Sequence, residues 1–248
     1  MDNGTELKKV KEWIADSERI VFFGGAGTST ESGIPDFRSA AGLYNEAQGK
    51  GVPPEVMLSH TYFMEHTESF FEFYKSRMIY KDAAPNAAHR ALAALERGGK
   101  LKAVVTQNID GLHQAAGSRT VFELHGSVRR NRCIDCGAFY DLESMLALDG
   151  VVPRCSACAG VVKPDVVLYE EPLDQATWAG ALEAIRGADL LIVGGTSLTV
   201  YPAAGLVDEF RGARLVLINR DETGYDRRAG AIFRESIGET LRELTSAT

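Results

Sequence analysis

The period of the apolar positions changes several times along the chain, and each change marks an element. Leu7, Val10, Trp13 and Ile14 recur at helical spacing, whereas the next run, Arg19-Ile20-Val21-Phe22-Phe23, reads as a buried strand ending in Gly24-Gly25-Ala26-Gly27. Short apolar runs at Leu101–Thr106, Val121–Leu124, Val166–Tyr169, Leu190–Val193 and Arg214–Ile218 predict further strands, most of them buried and parallel. Asn86–Arg97, Gln175–Arg186 and Tyr201–Phe210 predict helices between them. Alternation of this kind is the pattern of an α/β fold with a doubly wound parallel sheet.

Two stretches interrupt the alternation. Gly42–Asp82 carries Met, Phe and Tyr at helical spacing, and Arg129–Lys163 holds every cysteine. The expected division is a main α/β domain of residues 1–43, 83–128 and 164–248. An insertion of helical pattern (44–82) and a cysteine-bearing insertion (129–163) together form a small second domain.

A chain of 248 residues that is 45% hydrophobic can pack one large core or two modest ones. It has no apolar run long enough to span a bilayer, and its start, MDNGTELKKVKEW, lacks the core of a secretory signal, so a cytoplasmic protein without membrane attachment is expected. A net charge of −7 without a basic stripe argues against direct nucleic-acid binding and suits a basic peptide partner.

The cysteines form two pairs, Cys133/Cys136 and Cys155/Cys158, each with two intervening residues. Two such knuckles fit a zinc ribbon with four thiolates on one tetrahedral ion. Two disulfides or four unrelated thiols are the alternatives, and a reducing compartment disfavours the first. Four protein ligands leave no open position, so the metal is expected to be structural.

Gly25-Ala26-Gly27 after a strand suggests a dinucleotide turn, yet the third glycine of the usual fingerprint falls on Thr30. The hydroxyl-rich run from Thr28 to Arg38 offers groups for phosphate and ribose oxygens. A second unit, Leu190–Val193 then Gly194-Gly195-Thr196-Ser197, is followed by a strand ending at Asn219, where a ribose hydroxyl is commonly read. Either glycine turn alone fits a ligand-free turn equally well, and the two together favour a nucleotide.

In order, the chain carries GGAGTSTESGIPDFR (24–38), PNAAH (85–89), TQNIDGLHQAAG (106–117), ELHG (123–126), the paired CxxC motifs, GTSL (195–198) and LINR (217–220). From about Ile20 to Ile237 this series resembles the sirtuins. The resemblance implies a Rossmann-like NAD domain below a zinc-and-helix module, with acyl-lysine peptides and proteins bound in the cleft between them. It implies NAD-dependent deacylation: the acyl oxygen attacks the nicotinamide ribose, nicotinamide leaves, and a deprotonated ribose hydroxyl attacks the imidate. Free lysine and O-acyl-ADP-ribose result.

Residue by residue, the resemblance makes His125 the general base, a task imidazole suits at neutral pH, and counts it among the cofactor contacts too. Asn108, Ile109 and Asp110 would hold the nicotinamide carboxamide, Asn108 being counted with the catalytic groups. Gln107 would contact ribose. Gly25, Ala26, Thr30, Asp36, Phe37 and Arg38 would form the phosphate and ribose loop, with Phe37 shielding the reactive carbon from water. Gly195, Thr196, Ser197, Asn219 and Ile237 would hold the far phosphate, ribose and adenine. Val166, Val167 and Leu168 would offer a strand edge to the peptide. His60, His66, His89 and His113 have no such claim.

The chain departs from the family pattern at Gly24 and Thr28, where threonine and isoleucine are usual, and at Leu168-Tyr169-Glu170-Glu171, where an aromatic pair precedes Gly-Glu. Tyr74 and Arg77 match the Tyr-x-x-Arg pair of members that remove succinyl or malonyl groups, and positions i and i+3 share a helical face. Deacetylation is the expected primary activity and desuccinylation a second. Mono-ADP-ribosyl transfer is an alternative within the family. A dehydrogenase is disfavoured by the incomplete fingerprint, and an NAD sensor by the intact His125, Asn108 and Asp110.

Overall fold

A computed structural model describes residues 3–36 and 52–246. The chain opens with α1 (Asn3–Asp16) and β1 (Ile20–Gly24), and after the glycine turn come α2 (Pro54–Met57), α3 (His60–Glu65), α4 (Thr67–Arg77) and α5 (Ala87–Arg97). Next are β2 (Leu101–Thr106), α6 (Leu112–Ala115), β3 (Val121–Glu123), β4 (Gly126–Cys133), β5 (Phe139–Asp141), α7 (Leu142–Leu146) and β6 (Val162–Val166). The chain ends with α8 (Gln175–Gly187), β7 (Leu190–Gly194), β8 (Arg214–Ile218), β9 (Ala231–Phe233) and α9 (Ile237–Thr245).

Six strands form one sheet in the order β3-β2-β1-β7-β8-β9, every pairing parallel. Successive side chains of a strand point to opposite faces, so these continuously apolar strands feed two cores. Phe22, Val104, Ile192 and Val216 pack with residues of α1, α5 and α9. Phe23, Val105, Val193 and Leu217 pack with α8 and a 3₁₀ segment, Ala203–Glu209. The strand order runs outward in both directions from the β1/β7 pair, which makes the crevice beyond Gly24 and Gly194 the switch point where such sheets bind ligands.

A smaller antiparallel sheet has the order β5-β4-β6. It shares a third core with α3, α4 and α7, built on Phe63, Phe70, Phe71, Tyr74, Val128, Met145 and Val162, and Cys133 and Cys155 belong to it. Among the described residues no helix is long and apolar enough to cross a membrane.

Two expected elements differ. The run Val166–Tyr169 is not a parallel strand; the strand is β6, antiparallel and ending at Val166. Its sequence, Val-Lys-Pro-Asp-Val, alternates between core and outside, and the proline is tolerated because β6 is an edge. Tyr201–Phe210 is no α-helix, only the 3₁₀ segment, in keeping with Pro202 and Gly205 inside it.

Candidate active site

The two glycine turns are built against each other at the switch point. The Gly25 amide donates to the Gly194 carbonyl at 3.3 Å and the Gly27 amide to the Gly195 carbonyl at 2.8 Å. Gly195 has φ +61°, and a Cβ there would lie 2.4 Å from the Thr28 amide nitrogen. Glycine is therefore required twice over, by conformation and by space. Gly195→Ala is expected to cost at least about 1 kcal/mol in urea unfolding, the usual penalty of a left-handed alanine before any clash. Unchanged stability would mean that the turns do not pack this closely.

Behind the first turn, the buried Asn86 caps α5 by accepting from the Ala88 and His89 amides, and its own amide donates to the Thr28 carbonyl at 2.8 Å. The helix start thereby fixes the loop. Glu31 does the same at the far end, accepting from the Gly238 amide at 2.9 Å and from the Ser236 hydroxyl at 2.8 Å, which anchors the start of α9 and Ile237.

One cavity of about 710 Å³ runs from these turns to the small sheet. Gly25, Ala26, Thr30 and Asp36 line it from the first loop, and Gly195, Thr196, Ser197, Asn219 and Ile237 from the second nucleotide-like unit. Gln107, Asn108, Ile109, Asp110 and His125 also line it, as do Val166, Val167 and Leu168, which follow on from His125 through the Val167 amide and the His125 carbonyl. Phe37 and Arg38 lie outside the described residues.

Within the cavity the polar groups are chained. The Gln107 side-chain amide donates to the Thr196 hydroxyl at 3.1 Å and so ties β2 to the second turn. The Asn108 amide donates to the Ser29 hydroxyl at 3.0 Å, and that hydroxyl donates to Asp110 at 2.6 Å. The other carboxylate oxygen of Asp110 accepts from the Leu112 amide at 2.8 Å. Ser29, 1% exposed, is the joint of this relay, a role that its place among many loop hydroxyls does not reveal.

His125 Nδ1 is 3.0 Å from the Gln107 carbonyl. A carbonyl oxygen only accepts, so Nδ1 carries the proton and Nε2 keeps its lone pair. Burial pushes the imidazole below its ordinary pKa, a shift only partly offset by this hydrogen bond, and the ring is neutral at physiological pH. His89 and His113 are of another kind. Their rings meet edge to face at 4.7 Å in the interior, where burial lowers them to about 4 and about 3 respectively.

The expected Tyr74/Arg77 pair is not assembled on one wall. Arg77, at the end of α4, lines the cavity. The Tyr74 ring is 1% exposed, stacked on Phe70 at 5.8 Å, and lines no part of the cavity. Its position faces the third core, and burial raises its phenol pKa.

Away from the cavity, the sulfurs of Cys133, Cys136, Cys155 and Cys158 all lie within 4.8 Å of one another. Cys133 and Cys158 are 3.4 Å apart and Cys136 and Cys155 3.6 Å, near the roughly 3.8 Å edge of a tetrahedron with 2.3 Å zinc–sulfur bonds. The four thiols are free and suit one structural zinc.

The Sir2 family model matches residues 25–202. The NAD-dependent protein deacetylase of Clostridium acetobutylicum is 58% identical over 98% of both chains, and that of Clostridium tetani 59% identical over 94% of this chain and 95% of its own. Among solved structures, a Sir2 protein with a deacetylated p53 peptide and 3′-O-acetyl ADP-ribose superposes with a TM-score of 0.88 at 36% identity, covering 96% of each chain. Sir2Tm bound to a propionylated peptide gives 0.84, again at 36% identity over 96% of each chain. With its two glycine turns, its polar relay and its four thiols arranged as described, the chain belongs to the Sir2 family.

Proposed function

We propose that this chain is a cytoplasmic NAD-dependent protein-lysine deacylase that acts foremost on acetyl-lysine in peptides and proteins. The single observation that carries the reading is the setting of His125: Nδ1 is fixed on the Gln107 carbonyl, and the ring lines the same cavity as Asn108, Asp110 and both glycine turns. Bound NAD supplies the leaving nicotinamide and the ribose that takes the acyl group, giving free lysine and O-acyl-ADP-ribose.

The protein's own groups do the rest. The glycine turns pack so closely that a Cβ at Gly25, Gly27 or Gly195 would strike the facing turn, and the loop they form lines the end of the cavity offered to the pyrophosphate. Asn108 and Asp110, oriented through Ser29, present an amide and a carboxylate to the carboxamide, whose NH₂ and carbonyl are their complements. His125 takes a proton at Nε2. Val166–Leu168 present a strand edge to the peptide. The relatives from clostridia carry the same activity in their names, and one solved relative holds the deacetylated peptide with its acetyl ADP-ribose.

The test is mass-spectrometric turnover of one lysine peptide, acetylated or succinylated, with and without NAD. Acetyl should be lost only with NAD and should exceed succinyl, because Arg77 reaches the cavity without Tyr74 beside it. Arg77→Ala should lower residual desuccinylation about tenfold, the value of one charge-assisted hydrogen bond, and leave deacetylation within about twofold. An acetyl-peptide that stays intact while ADP-ribose is transferred to the protein would replace this reading with ADP-ribosyl transfer.

A further inference from the structure

The segment that follows Val166 is held from below by a double clamp of adjacent carboxylates. Glu171 accepts from the Leu168 amide at 2.9 Å, from Lys163 Nζ at 3.1 Å and from His60 Nδ1 at 3.0 Å. Glu170 accepts from both the amide and the hydroxyl of the adjacent Thr61, at 2.9 and 2.8 Å. Backbone bonds complete the seam: the Tyr169 amide donates to the Leu58 carbonyl at 3.0 Å, and the His60 amide to the Tyr169 carbonyl at 3.0 Å.

Glu170 also has φ +77°, a left-handed conformation that suits glycine and strains a residue with a side chain. Such strain persists only where surrounding contacts fix it. The contacts here are the two bonds to Thr61, which also hold the carboxyl below its usual range, the amide bond being the larger cause. Above this turn, the Val167 amide is committed to the His125 carbonyl at 2.9 Å, and no hydrogen bond among the described residues ends on the Val167 carbonyl. Val166, Val167, Leu168, Glu170 and Glu171 all line the cavity.

We propose that Glu170 is a positioning residue for the peptide: by clamping its strained turn onto Thr61 at the start of α3, it holds the Val167–Leu168 edge in register for an incoming strand. The inference rests on the strand-edge reading above. The clamp fixes the α3 start, the turn and the backbone beside His125 as one unit, and its effect falls on peptide affinity. The NAD end of the cavity, held by Asn86 and Glu31, is untouched.

The experiment is steady-state deacetylation of an acetyl-lysine peptide by Glu170→Gln, Glu170→Gly, Glu170→Ala and Thr61→Val. Glu170→Ala, strained and unclamped, should raise the peptide KM about tenfold, with kcat and the KM for NAD within twofold. Glu170→Gly, unclamped but relaxed, should fall between Ala and wild type, and Glu170→Gln, whose amide oxygen still accepts, should stay near wild type. Thr61→Val, which removes the hydroxyl bond and keeps the amide bond, should raise the peptide KM less than Glu170→Ala and add little to it, since Glu170→Ala already removes both. A peptide KM unchanged in Glu170→Ala, or kcat and NAD binding shifted equally, would overturn the clamp. A peptide N-methylated beside the acetyl-lysine separates the two ideas. If methylation weakens binding and Glu170→Ala does not, only the clamp fails. If methylation has no effect, the strand-edge reading fails and the clamp with it.

Discussion

His125→Ala is expected to lower deacetylation by about 10²–10⁴, the range for removing a positioned general base. The loss should fall on kcat, because the groups proposed to hold NAD, the two glycine turns and the Asn108–Ser29–Asp110 relay, are left in place. Stability should change little. The substitution deletes one hydrogen bond, to the Gln107 carbonyl, worth about 1 kcal/mol. The pH profile supplies an independent check. A base must be neutral to act, and burial lowers the His125 pKa, so protonation sets in only below the ordinary value of about 6.5. The acid limb of kcat/KM in the wild type should therefore lie below pH ~6.5 and vanish in the variant. Residual activity within tenfold of wild type, or an acid limb above neutrality that survives the substitution, would remove His125 from the role.

What the sequence disclosed follows the physics of each part. The buried parallel strands were legible because they bury both faces: Leu190–Gly194 and Arg214–Ile218 stand where apolar runs predict them. Metal spacing is local, so the cysteine cluster was legible too. β6 was hidden because its half-buried alternation includes a lysine, a proline and an aspartate, while the apolar signal falls on the following loop. Tyr74 and Arg77 illustrate the limit of spacing. Positions i and i+3 share a helical face, yet the helix here ends at Arg77, and its Tyr74 side turns into a core that joins the nearby Phe63, Phe70 and Phe71 to the distant Val128, Met145 and Val162. Ser29 joining Asn108 to Asp110, and Glu170 reaching Thr61, are contacts across more than 75 residues of chain, set by the tertiary fold.

Zinc removal is expected to abolish deacetylation although the metal stands apart from the cavity. Structural zinc sites contribute on the order of 10 kcal/mol, comparable to the whole stability of a domain, about 5–15 kcal/mol. Without the ion, four sulfurs crowded within 4.8 Å lose the bonds that hold them, and two of the four, Cys133 and Cys155, sit in the third core. Cys133 ends β4, and β4 pairs with β6 from Cys133/Val162 to Gly126/Val166. The far end of that ladder is the site itself, where the Val167 amide meets the His125 carbonyl. Melting the knuckles thus frees both the base and the peptide edge, while the six-stranded sheet, with two cores of its own, stays folded. Wild-type protein should carry one zinc per chain. A chelator strong enough to strip it, or Cys136→Ser, should raise hydrogen exchange across residues 126–166 and end turnover, leaving protection in β1, β7 and β8. Zinc-free protein that keeps its exchange protection and its activity would show that the four thiols hold the module without a metal.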